Sequence, residues 1–185
     1  MGFVIGSDEK GERDYEVIPD GVTYGVCRGI FDLGTHYDEH YDKDKREVIV
    51  LWEIPEYTID YTDDNGKDVI MPRVVSKEYT ASMNRKANLR KDVDSWRGKP
   101  MTDEEVVVFD LEELLGKSCQ LQLSTKEGKT WTNITTIMAM PKGVDKLVCE
   151  KTWWFCFDDE SELPEDTPEW IKKKIVSSRE GEARF

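Results

Sequence analysis

The chain has 185 residues and a formal net charge of −13, with 39 acidic side chains against 26 basic ones. That length suits one domain with an appendage, and four scattered cysteines without a C-x-x-C pair point to reduced, mostly buried thiols and a cytoplasmic setting. No apolar run approaches the roughly 18 residues of a membrane span, no cationic, apolar leader opens the chain, and so acidic a protein is not built to coat duplex DNA through bulk charge.

Residues 1–20 are polar and turn-rich, and Pro19, Asp20 and Gly21 close them off as an expected mobile arm. A first strand follows at 22–31, with Val22, Tyr24 and Val26 on one face and Gly25 and Gly29 on the other, where small residues allow the bends of a closed barrel. Residues 32–45 read as a polar loop. It holds both histidines in the string His36, Glu39, His40, which matches the H-x-x-E-H zinc signature. That signature needs a helix to bring both imidazoles to one face, and this loop lacks one, so the three residues read as surface groups and no metal is expected.

The second strand, 48–54, is apolar on both faces and contains Trp52, as a central, buried or partly binding strand would. Pro55 interrupts it, and 57–61 extends it as one arm of a hairpin turned by Asn65 and Gly66. The surrounding DDNGKD lacks the acid and the glutamate that a calcium loop requires. A third strand runs from Pro72 or Arg73 to Thr80.

Residues 76–101 form a basic island, seven cations against three anions. Leu89, Val93 and Trp96 recur at helical spacing, and Gly98 with Pro100 stops the helix. The bland reading of its cations is a solvated helix face; the sharper one sets them against phosphates beside Tyr79 as a stacking platform. Thr102 with Glu105 predicts a capping box, and Asp110 caps a further turn that ends at Gly116. Residues 119–124 and 131–140 are the fourth and fifth strands, turned at Glu127 and Gly128.

Five short strands with a helix between the third and fourth give the connectivity of a five-stranded Greek-key OB-fold barrel, all-β with α insertions. The expected organisation is an arm at 1–20, an OB-fold-like domain at 21–141 and an acidic C-terminal extension at 142–185. In that extension 147–157 is apolar, with Trp153 and Trp154 adjacent as an extra strand, and seven anions fall between Asp158 and Glu169 without a cation. A short helix at 168–176 starts behind Thr167 as cap with Pro168 as its first residue. Two readings of the extension stay open: a mobile segment competing with phosphate for a cationic groove, or one anchored by Trp153, Trp154, Trp170 and Ile171.

The strings YGVCRGIFDLGT, VLWEIPE, FDLEELLGKSCQLQ and TNITTIMAMPKG, and above all the block from Asn88 to Gly98, resemble the phage and prophage replication-module family of single-stranded-DNA-binding proteins. The resemblance spans 21–175. It implies an OB-fold protein without catalysis that coats single strands in the cytoplasm of an infected or lysogenic bacterium. The Asp60-to-Lys67 insertion and the run TWWFCF depart from the family pattern.

The function expected is therefore single-strand binding by stacking and phosphate contacts. Trp52, Tyr79 and Trp131 are the stacking candidates, each set against core packing as the plainer alternative. Arg73, Lys77, Arg85, Arg90, Arg97 and Lys129 are the phosphate candidates. Trp96 and Leu89 go to the core. The alternative is an acidic interaction or DNA-mimic protein that recruits or inhibits a DNA-processing enzyme. No catalytic motif and no cofactor is expected, and replication or recombination partners through the acidic extension, and a homo-oligomer, are left open.

Overall fold

A computed structural model describes residues 16–129 and 131–185. Six strands and four short α-helices follow one another: β1 (Gly21–Asp38), β2 (Lys43–Thr62), β3 (Asp68–Thr80), α1 (Asn88–Arg97), α2 (Asp103–Val108), β4 (Ser118–Thr125), β5 (Thr132–Met138), β6 (Trp153–Phe155), α3 (Glu169–Val176) and α4 (Arg179–Arg184). The first five strands make an open antiparallel sheet in the order β3-β2-β1-β4-β5, and β6 pairs with β1 in parallel. Its edge strands β3 and β5 approach one another, and α1 packs on both. No ladder joins those edges among the described residues, so the hydrogen-bonded sheet does not close.

Local chemistry sets the boundaries. The β2–β3 hairpin turns at 63–67, where Asp63 Oδ1 accepts from the Asn65 and Lys67 backbones and Gly66 takes φ 75°. A register shift between Ile54 and Thr58 accommodates Pro55, which has no N–H to give the ladder. Gly98 ends α1 in the left-handed conformation, and Thr102 with Glu105 forms a complete capping box for α2. Asp110 caps a 3₁₀ turn, Leu111–Leu114.

Other expectations are corrected. Residues 32–45 are not a loop: β1 runs to Asp38, β2 starts at Lys43, and a tight turn at 39–42 joins them. Extended pairing satisfies backbone groups that a polar loop would leave to water. Thr167 does not cap α3, because its hydroxyl donates to the Pro164 carbonyl instead. Of the expected mobile arm, residues 1–15 lie outside the described residues; Ile18, within it, is buried in the core.

The sheet is packed on both faces, which explains why the middle of β2, 48–54, is apolar on both faces but for Glu53. Val48, Val50, Trp52 and Ile54 point inward with Leu121 and Leu123 of β4 and with Leu89, Val93 and Trp96 of α1. Ile49 and Leu51 point outward with Phe31 and Leu33 of β1, beneath Trp153, Phe155, Ile171 and Ile175 of the C-terminal segment. Ile171 and Ile175 are fully buried, worth about 1.5–3 kcal/mol each. The extension is thus a docked layer, not a free tail. Ion pairs rivet it to the sheet, Lys174 to Glu47 (3.2 Å) and to Glu78, and Arg46 to Asp158 (2.9 Å), while Lys151 to Asp166 (2.7 Å) ties the extension to itself. Gly34 sits at φ 75° with Ser178 against it, leaving no room for a Cβ.

Candidate nucleic-acid interface

The expected site residues do not converge on one surface. Trp52 is 1% exposed, its ring 5.6 Å from that of Trp96 in the core, so no base can stack on it. Tyr79 is also buried, and its hydroxyl donates to Asp92 over 2.8 Å. Arg90 is 5% exposed. Its guanidinium donates to the Met83 and Met101 carbonyls and to Asp94, tying the loops at both ends of α1 together. These three are corrected to structural roles; the i, i+4 spacing that exposes Lys91 buries the residue before it.

The remaining candidates, half-buried or exposed, are mostly engaged. Arg85 Nη2 lies 2.7 Å from each carboxylate oxygen of Asp103, and Lys77 lies 2.6 Å from Asp92. Arg97 reaches Glu105 at 3.0 Å. The Thr102 backbone N–H, and then Arg97, hold the Glu105 carboxyl below its usual range. Arg73 donates to the Glu16 carbonyl. Lys129 sits 4.9 Å over the ring of Trp131, which is exposed at the β4–β5 turn. That turn is at the opposite end of β5 from Ile137, where Ser95 of α1 is bonded, so the pair stands apart from the basic helix.

Two depressions flank α1. The one at its start, about 670 Å³, is lined by Lys45, Lys77 and Lys86 but also by Glu47 and Glu78. Burial opposes ionisation of Glu47, yet hydrogen bonds from Lys45 and Lys174 outweigh it and keep its carboxyl below the usual range. Charge here is nearly balanced.

The cleft at the other end of α1, about 480 Å³, is different. Arg97, Lys99, Lys117 and Lys146 line it against a single carboxylate, Glu113. The three lysines make no ion pair with the described residues. Arg97 Nη1 is buried without a hydrogen-bond partner among them. Such an orphan donor is costly unless something accepts from it. Trp96, Phe109, Met140 and Leu147 supply apolar wall. The Trp96 indole N–H donates to the Ser118 carbonyl, and Ser118 Oγ accepts from the Leu147 backbone at 2.8 Å, which fixes those walls in place.

Sequence reasoning missed Lys117 and Lys146 because the cleft is assembled from α1, the turn before β4 and the segment after β5. No local pattern reports that meeting. Lys99 belongs to the basic island, but nothing local in the sequence ranks it above Arg97 beside it.

Among the described residues no group of three or more His, Cys, Asp or Glu side chains is placed to hold a metal ion, and no helix is long and apolar enough to cross a membrane. Comparison with protein-family models, with curated proteins and with solved structures returned no match.

Proposed function

We propose that the chain is a non-catalytic single-stranded-DNA-binding protein on an OB-like scaffold, of the phage replication-module type, and that it holds the strand along the α1 side. The strand order, the approach of β3 to β5 and the helix between β3 and β4 support the OB-like reading. The observation that carries the function is the cleft at the end of α1, where three lysines outside any ion pair among the described residues stand with the Arg97–Glu105 pair around a lining that holds one carboxylate, Glu113, and the half-buried ring of Phe109. Lys86 before α1 and Lys91 on it are also exposed and outside any ion pair among the described residues.

OB-folds commonly lay strands across the outer face around strands 2 and 3. Here that face carries β6 and α3, with α4 against β1, and this moves the proposed interface to α1. Three of the seven anions of the acidic block, Asp158, Asp166 and Glu169, are already paired with Arg46, Lys151 and Lys172.

Fluorescence anisotropy with labelled oligothymidine and with duplex of equal length tests the reading. Tighter binding of the single strand, falling with salt, is expected. Absence of binding to either at low salt contradicts it and favours the acidic interaction or DNA-mimic alternative.

A further inference from the structure

We infer that the cleft between the end of α1 and the start of β4 is a subsite for one nucleotide, taking an unpaired base between its apolar walls and a phosphate on its cations. The ligand class rests on the strand-binding reading; the site itself rests on geometry. At about 480 Å³ the cleft is at the small end of the range for small-molecule pockets. That suits a ring with one phosphate and is too tight for a folded partner.

Two features choose the chemistry. The first is the excess of positive charge: Lys99, Lys117 and Lys146 line the cleft outside any ion pair among the described residues, Glu113 is the single carboxylate in the lining, and Glu105 lies near enough for Lys99 to act on it. The second is the buried, unpartnered Arg97 Nη1: the same guanidinium spends Nη2 on Glu105, and the N–H groups of Nη1 have no acceptor among the described residues. An arginine fixed at one nitrogen and unpartnered at another favours an anionic acceptor. Phe109 and Leu147, both half-buried at the cleft, offer apolar surface that an inorganic ion does not use and a base does, while Trp96, 6% exposed, belongs to the core behind them. Ligand recognition by ring and anion together is the chemistry of a nucleoside monophosphate, free or as a unit of a strand.

Titration of the full chain with thymidine 5′-monophosphate, thymidine and inorganic phosphate, followed by calorimetry and by amide shifts of residues 96–99 and 116–118, tests the assignment. Saturable binding of the monophosphate is expected, about tenfold tighter than either fragment. Lys117→Ala with Lys146→Ala, both at exposed positions, should weaken it by about tenfold at unchanged melting temperature. Inorganic phosphate binding as tightly as the nucleotide overturns the subsite in favour of a plain anion site. An acidic, aromatic peptide that binds more tightly and excludes the nucleotide overturns it in favour of a peptide groove. Oligothymidine is titrated in parallel. An oligomer that binds where the mononucleotide does not leaves strand binding standing and overturns the subsite; a mononucleotide that binds where no oligomer does supports the subsite and overturns the strand reading.

Discussion

The outer face of β1–β2–β3 and the cleft at the end of α1 both bring cations next to aromatic rings, but they differ in what those groups already hold. On the outer face Arg46 and Lys174 are bonded to Asp32, Asp158, Glu47 and Glu78, and Phe31, Trp153 and Phe155 are packed out of water. In the cleft three lysines have no ion-pair partner among the described residues, and a guanidinium N–H is unspent. Net charge does not locate a binding surface in a chain of −13. Pairing does, because a cation that already sits on a carboxylate must lose that partner before it can serve a phosphate.

The contrast is broken most violently on the covered side. Ile171→Ala should cost about 2–5 kcal/mol in denaturant unfolding, as for other fully buried aliphatic side chains, without tightening strand binding; tighter binding would revive the competing-tail reading. Arg90→Ala comes next. It leaves Asp94 and the Met83 and Met101 carbonyls without their donor, for about 2–3 kcal/mol, and the folded fraction should bind strands normally.

Acid gives a smaller and graded effect. Burial opposes ionisation of Asp166 and Glu180, but hydrogen bonds from Lys151 and from Thr35 outweigh it and hold both carboxyls below the ordinary range, as with Glu47. A depressed carboxyl contributes stability that is complete above the unfolded-state pKa and lost as pH falls through the folded-state value. The C-terminal layer should therefore loosen below the usual carboxylate range, and amide exchange in α3 and α4 across pH 6 to 3, a window of about three units set by ordinary carboxylate values, should show protection fading there first. Smallest is Arg85→Ala, which removes a fully exposed pair with Asp103 and should leave the melting temperature unchanged.

Much of the fold was legible because its signals are local. Gly98, the Thr102–Glu105 box, Asn65-Gly66 and the spacing of Leu89, Val93 and Trp96 each act within one turn of chain, and each does in the structure what its chemistry predicts. The helix α4 went unread, since its cap, Ser178 accepting from Gly181, serves only six residues. The candidate site was less legible. Trp52 and Arg90 share residue type with stacking and phosphate groups, and only the packing of β2 against α1 shows them to be interior. Lys117 is separated from α1 by α2 and the 3₁₀ turn, and Lys146 by β4 and β5 as well, so their meeting is a property of topology.

The most direct test is a salt-titrated oligothymidine binding curve for three proteins: the natural chain, the Lys99→Ala, Lys117→Ala, Lys146→Ala variant, and a Lys43→Ala, Lys67→Ala, Lys173→Ala variant that removes equal charge away from the cleft. The cleft variant should bind more weakly, with its log–log salt slope flattened by about two, as expected for three lost single-strand phosphate contacts. The control should keep the natural slope. Equal losses in both variants would mean that charge acts only in bulk, and would contradict an interface at the end of α1.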